Sequence, residues 1–231
     1  MFNNFHYAYI FGCLFFSVIW ICLFSLRKDL RKEMLIMSIL VAPLGPLSEL
    51  FYRRDYWQPQ LFDGRTIGLE DLWWSFLIGG ITAVVYEEFF GKKYLKRHLK
   101  KHSHWMLGMA ALFILWMIVG NRIFGFNSIY VSSLGFLIIG FVSLLSRHDL
   151  IKDAFFSGFF ISILMFLMYF TLTPLFPGVI QKWWMLKNIS GVVIFGAPLE
   201  EIMWGFCWGF MAGPLYEFIR GLEFSRKRIT N

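Results

Sequence analysis

Charge is the scarcest thing in this chain. Asp, Glu, Lys and Arg make up 16% of its 231 residues, against roughly a quarter in an ordinary soluble domain. What charge there is falls into short clusters between long uncharged runs, the pattern of a membrane protein. Cysteine is also sparse. Cys13, Cys22 and Cys207 all sit in apolar runs, and an odd count there offers neither a disulfide framework nor metal-ligand spacing. None of the five histidines falls mid-span, since His6, His98, His102, His104 and His148 are in tails or loops. That disfavours a membrane metalloprotease or a di-iron desaturase, which need intramembrane His clusters. The last apolar run lacks a central Lys for a retinal Schiff base, and no glycine-rich phosphate loop follows a strand. Glu200-Glu201 is followed by Gly205 rather than an Arg, without the partner His motif of a glutamate-type membrane protease. Pro59-Gln60 lies in a loop and gives no support to the sugar transporters that share this helix count.

What is abundant is apolar and aromatic. The chain is 58% hydrophobic and 20% aromatic, with 28 Phe and 10 Trp. Part of that is interfacial belt; the rest points to a cavity or core lined with rings. The formal net charge of +7 would raise nucleic acid as a partner for a soluble protein. Here Lys and Arg mark cytoplasmic loops instead, and no nucleic-acid partner is expected. The first run, Tyr7 to Leu26, has no basic residue before it and no small-residue cleavage site, so it reads as a retained helix and not a signal peptide.

Seven stretches, 7–26, 35–52, 69–90, 105–125, 127–146, 153–176 and 190–219, each approach the ~20 residues that a bilayer requires. They predict an all-α integral membrane protein. The clusters after the first, third, fifth and seventh stretches hold sixteen basic residues: Arg27/Lys28/Arg31/Lys32, Lys92/Lys93/Lys96/Arg97/Lys100/Lys101, Arg147/Lys152 and Arg220/Arg226/Lys227/Arg228. The other side holds six: Arg53, Arg54, Arg65, Arg122, Lys182 and Lys187. That imbalance predicts a multi-pass cell-membrane protein with its N-terminus outside and its C-terminus in the cytoplasm.

The chain also repeats itself. Leu69–Gly91 lies on Leu199–Gly221 without a gap, with eight identities: Leu69/Leu199, Glu70/Glu200, Trp74/Trp204, Phe76/Phe206, Gly79/Gly209, Tyr86/Tyr216, Glu87/Glu217 and Gly91/Gly221. Asp71 faces Glu201. Upstream, Pro43-Leu44-Gly45-Pro46 matches Pro174-Leu175-Phe176-Pro177, and Arg27-Lys28-Asp29-Leu30-Arg31-Lys32 matches Arg147-His148-Asp149-Leu150-Ile151-Lys152. Apolar helices resemble one another by composition alone, but charges and prolines at fixed spacing do not. The order predicts a single membrane domain over 1–231. Repeat one is 1–91 with helices 1–3, a linker helix 4 occupies 92–126, repeat two is 127–221 with helices 5–7, and a basic cytoplasmic tail covers 222–231. The odd linker makes the two three-helix repeats parallel.

Ionisable groups inside a bilayer are costly and are functional hypotheses by default. Glu70, Asp71, Glu200 and Glu201 lie at or just inside the outer ends of helices 3 and 7, and Glu49 lies near the outer end of helix 2. Pro198 precedes the second pair, and the apolar run Ser190–Ala197 could already be in the membrane. Desolvation favours a protonated carboxyl, whereas a helix N-terminus favours the anion. A plain N-terminal acidic cap explains one such pair; the same pair in both halves favours function. Trp74 and Trp204 follow one helical turn along the same face, with Phe76, Phe206 and Trp208 beyond. Rings there could stabilise a cation that the acid generates, or simply form an interfacial belt. Gly79 and Gly209 fit close helix packing. Pro43, Pro46, Pro174, Pro177 and Pro198 are structural candidates. Glu87, Glu88 and Glu217 lie at the cytoplasmic ends, and Glu87 and Glu217, beside basic loops, read as interfacial ion pairs rather than catalysts.

Gly196-Ala197-Pro198-Leu199-Glu200-Glu201, preceded by Trp183/Trp184 and Ser190-Gly191, resembles the lycopene cyclase domain of the membrane, non-flavoprotein type, found as two subunits or fused in one chain. The first half is similar through Tyr56-Trp57, Pro59, Gly64 and Gly68-Leu69-Glu70-Asp71, with Gly68 in place of the family's Pro and Asp71 in place of its second Glu. The resemblance implies cofactor-free β-cyclisation of a linear carotenoid. It implies acid and base among Glu70, Asp71, Glu200 and Glu201, and Trp74, Phe76, Trp204, Phe206 and Trp208 as cation-stabilising walls. Neither cofactor nor metal is expected. The expected partners are a hydrophobic polyene or isoprenoid from the bilayer and membrane lipids, with room for a homo-oligomer. Two other readings stay open: a proton-coupled transporter with a three-one-three helix plan, and a membrane terpene cyclase acting on another polyprenyl chain.

Overall fold

The computed structural model describes residues 5–91, 94–95 and 103–224. Lys92, Lys93, Lys96, Arg97, Lys100, Lys101, Arg226, Lys227 and Arg228, used above for orientation, lie outside the described residues, as do His98 and His102. The described chain is mostly helical. In order it forms α1 (His6–Leu26), α2 (Arg31–Val41), α3 (Leu44–Asp55), α4 (Leu69–Thr82), α5 (Val85–Phe90), β1 (Tyr94–Leu95), α6 (Ser103–Met117), α7 (Ser128–Ser146), α8 (Ile151–Leu175), α9 (Val179–Trp183), β2 (Val193–Ile194), β3 (Ala197–Pro198), α10 (Leu199–Ala212), α11 (Leu215–Arg220) and β4 (Glu223–Phe224). The short strands pair as β1 with β4 and β2 with β3, both antiparallel.

Several predicted spans are broken. His6–Leu26, Ser128–Ser146 and His148–Leu175 are each long and apolar enough to cross a membrane, and the bent pair α2 and α3 would make a fourth. That pair turns by 44° at Ala42-Pro43, where the proline ring disrupts the helical ladder. The stretch 69–90 divides into α4 and α5, and 105–125 ends in a π-helical segment, Ile118–Ile123. The stretch 190–219 departs most. Its first nine residues are not helical but form the β2–β3 hairpin, because Gly191 and Gly196 adopt φ of 71° and 91°, a region open to glycine. Pro198 then stands as the N-cap of α10. Each of α4 and α10 has 14 residues.

Large apolar side chains remain exposed along the long helices, including Leu14, Val18 and Ile21 of α1 and Phe155, Phe159 and Phe170 of α8. A continuous apolar exterior of this kind suits lipid and not water, so the chain is a membrane protein. Inside, α1, α2 and α4 pack together, as do α7, α8 and α10. Glycines set how closely they approach. A Cβ on Gly79 would lie 2.6 Å from the Val41 Cβ, and one on Gly209 would lie 2.5 Å from the Ser157 carbonyl oxygen. The second neighbour is main chain and cannot rotate away. Gly209→Ala should therefore push α8 and α10 apart and cost on the order of 1–3 kcal/mol, read as a lower melting temperature in detergent. Gly108→Ala, whose Cβ would meet nothing within 4 Å, should leave it unchanged.

Contacts recur between the halves at matched positions. Arg27 grips Asp29 with bonds of 3.0 and 2.9 Å and donates to the Glu87 carbonyl at 3.0 Å. Arg147 grips Asp149 at 2.8 and 2.7 Å and donates to the Glu217 carbonyl at 3.4 Å. Phe16 meets Trp74 edge-on at 4.8 Å, as Phe136 meets Trp204 at 6.1 Å.

Candidate active site

Each acidic pair opens a helix, and its two members point in different directions. In α4, Glu70 is the second residue and Asp71 the third; in α10, Glu200 and Glu201 hold the same places. Successive residues on a helix diverge by about 100°, so one of each pair faces the preceding loop and the other faces inward. Glu70 accepts from the Phe62 main-chain N–H at 2.8 Å. Glu200 accepts from the Ser190 N–H at 2.9 Å and the Tyr130 hydroxyl at 2.7 Å. Both first members thus tie down the loop that leads into their helix.

The second members meet in one chamber of about 70 Å³. Asp71 accepts from the Tyr9 hydroxyl and from the Gly68 N–H, both at 2.9 Å; the second bond also closes the turn before α4. Glu201 accepts from the Tyr56 hydroxyl at 2.6 Å and from the Trp184 indole at 3.0 Å, both through Oε1. Hydrogen bonds to a charged acceptor contribute about 1.5–3 kcal/mol each, so both carboxyls are firmly oriented. Trp74 and Trp204 line the same chamber. Phe76, Phe206 and Trp208 do not. Phe76 packs on Trp20 at 5.4 Å, Phe206 on Phe210 at 6.1 Å, and Trp208 stacks on Trp204 at 5.8 Å beside the adjoining apolar cavity while its indole donates to Thr82.

A third carboxyl completes the chamber. Glu49 of α3 is 4% exposed and accepts from the Trp57 indole at 3.1 Å through Oε1. Its Oε2 is buried with no hydrogen-bond partner among the described residues. The sequence repeat passes over Glu49 because its counterpart after the matching Pro177 is Ile180. Tyr9, Tyr52 and Tyr169 also line the chamber. Their signal was a tyrosine in a chain rich in aromatic residues, too common to single out.

The loops of the two halves close over this site. Gln58 N–H donates to the Trp183 carbonyl at 2.7 Å, Met185 N–H donates to the Tyr56 carbonyl at 2.8 Å, and the Trp57 and Trp184 rings lie 5.4 Å apart. On its other side the chamber adjoins an apolar cavity of about 360 Å³. The two share Gly45, Ser48, Tyr52, Ser75 and Trp204. The larger cavity runs between α3, α6, α7 and α10, and its walls include the outward-facing Leu40, Leu44, Leu47 and Leu107. An apolar chain could enter from the lipid and place one end among the carboxyls. Not every predicted acid belongs here: Glu87 in α5 and Glu217 in α11 are buried away from the chamber, and the Arg27 side chain pairs with Glu88.

Residues 127–219, which take in α7, α8 and α10, match the family model for lycopene cyclase. The match leaves 1–126 outside it. No curated protein and no solved structure matches the chain.

Proposed function

We propose that the protein is a carotenoid β-cyclase that closes the end group of a linear polyene such as lycopene by acid–base chemistry inside the membrane. The observation that carries this reading is the carboxyl chamber opening into an apolar, lipid-side cavity. A redox-neutral cyclisation needs little else. A carboxylic acid protonates the terminal olefin, the neighbouring double bond attacks the carbocation to close a six-membered ring, and a carboxylate removes a ring proton. The proton taken up equals the proton released, so substrate and product are isomers.

Glu49 is assigned as the acid, because a buried carboxyl oxygen without a partner is suited to carry a proton. Asp71 and Glu201, each held in place by two hydrogen bonds, are assigned the role of base. Trp74 and Trp204 offer ring faces to the cation, and the joined loops keep water out. Glu70 and Glu200 act as loop ties. The recurring contacts favour a duplicated architecture of seven membrane segments, two parallel three-helix repeats joined by α6, with α4–α5 and α10–α11 as broken segments. The N-terminus is placed outside and the C-terminus in the cytoplasm.

The test is expression in cells that accumulate lycopene. Extracts should shift from red to orange and contain γ- and β-carotene by chromatography. Protein in the membrane with unchanged pigment would overturn the carotenoid reading; a new cyclic lipid from another polyprenyl chain would keep the chemistry and change the substrate.

A further inference from the structure

Far from the carboxyl chamber, three acids from three helices converge. Glu87 of α5, Asp153 in the first turn of α8 and Glu217 of α11 each offer a carboxylate oxygen, and these oxygens all lie within 4.8 Å of one another. The three residues are 1%, 2% and 0% exposed. Carboxyls buried this close together must be neutralised, by protons or by a bound positive charge. Two guanidiniums lie nearby. Arg27 bonds to Asp29, to Glu88 and to the main chain of Glu87, and Arg147 bonds to Asp149 and to the carbonyls of Glu217 and Leu222.

A second observation points to a ligand. Glu87 Oε1 and Asp153 Oδ2 are buried with no hydrogen-bond partner among the described residues. Asp153 is held by its other oxygen, which accepts from the Ser157 hydroxyl at 2.9 Å. That arrangement orients a carboxylate in the way outer-shell partners of metal ligands commonly do, and leaves Oδ2 available to a ligand.

The geometry points to a divalent-cation site at Glu87, Asp153 and Glu217. An all-oxygen, carboxylate-rich donor set selects hard ions such as Mg²⁺, Mn²⁺ or Ca²⁺ over softer ones. Glu87 comes from the first half of the chain while Asp153 and Glu217 come from the second, so the ion would join the two halves. The inference is independent of the cyclase reading, and its test reads metal rather than pigment.

Full-length protein in detergent is stripped with a chelator, exchanged into metal-free buffer and titrated with Mn²⁺, with free ion followed by electron paramagnetic resonance and stability by melting temperature. About one ion should bind per chain and raise the melting temperature. Glu87→Gln and Asp153→Asn should each weaken binding by at least the roughly 10–100-fold that loss of a supporting residue costs. Glu88→Gln, whose side chain pairs with Arg27 and is not one of the three acids, should bind as the parent does. Should Asp153→Asn fail to fold, Ser157→Ala provides the milder loss, removing only the orienting hydroxyl. The site is refuted if folded protein takes up none of Mn²⁺, Mg²⁺ or Ca²⁺, or if Glu87→Gln and Ser157→Ala bind as tightly as the parent.

Discussion

Glu201→Gln is expected to lower cyclised product by about 100- to 10,000-fold, the range that a positioned acid or base supplies, with the protein still present in the membrane. Glu200→Gln should cost far less. The two residues are adjacent and sit at the start of one helix, but their surroundings differ. Glu201 faces the chamber and is oriented by Tyr56 and Trp184. Glu200 holds Ser190 and Tyr130, outside the chamber. An amide at 201 keeps the size and hydrogen-bonding capacity of the side chain but can no longer take up a proton at physiological pH. An amide at 200 still has an oxygen to accept from Ser190. Its effect should therefore be a lower melting temperature, by the equivalent of about 1 kcal/mol, with most activity retained. Product formed per unit of membrane protein, measured for both variants by chromatography, decides the matter. Equal losses in the two would mean that the division between inward and loop-facing acids is wrong.

Glu49→Gln carries the second large effect. If Glu49 supplies the proton, its amide should remove activity to the same degree as Glu201→Gln. It should not unfold the protein, because the amide can still accept from Trp57. The informative comparison is with Glu49→Asp. A carboxyl remains there, set back by one methylene, so activity should return in part while Glu49→Gln stays inactive. A role limited to packing or hydrogen bonding would reverse that order, since Gln matches the shape of Glu better than Asp does. Full activity in Glu49→Gln would return the acid to Asp71 or Glu201.

Much of the path to this site was legible in the amino-acid sequence. The apolar runs marked a membrane protein because charges are costly in lipid. The paired acids were visible because they recur beside Trp74 and Trp204 at the same spacing. Helix breaks were less visible. Hydropathy records whether a residue tolerates lipid and says little about whether the chain there is straight, so 190–198 read like the start of a helix although its glycines turn a hairpin. Glu49 was in view as an acid near the outer end of its span but had no counterpart in the second half, and an argument from repetition gives weight only to what repeats.

The sequence by itself determined the class of molecule, the clustering of its positive charges and the identity of the two acidic pairs, because composition and spacing are properties of the chain. Only the tertiary structure decided which acid of each pair faces inward. A helix turns by about 100° per residue, and the sense of that turn relative to the core depends on what packs against it. Only the tertiary structure brought Glu49 to Asp71 and Glu201, and Asp153 to Glu87 and Glu217, because those contacts join helices far apart in the chain and no local pattern encodes them.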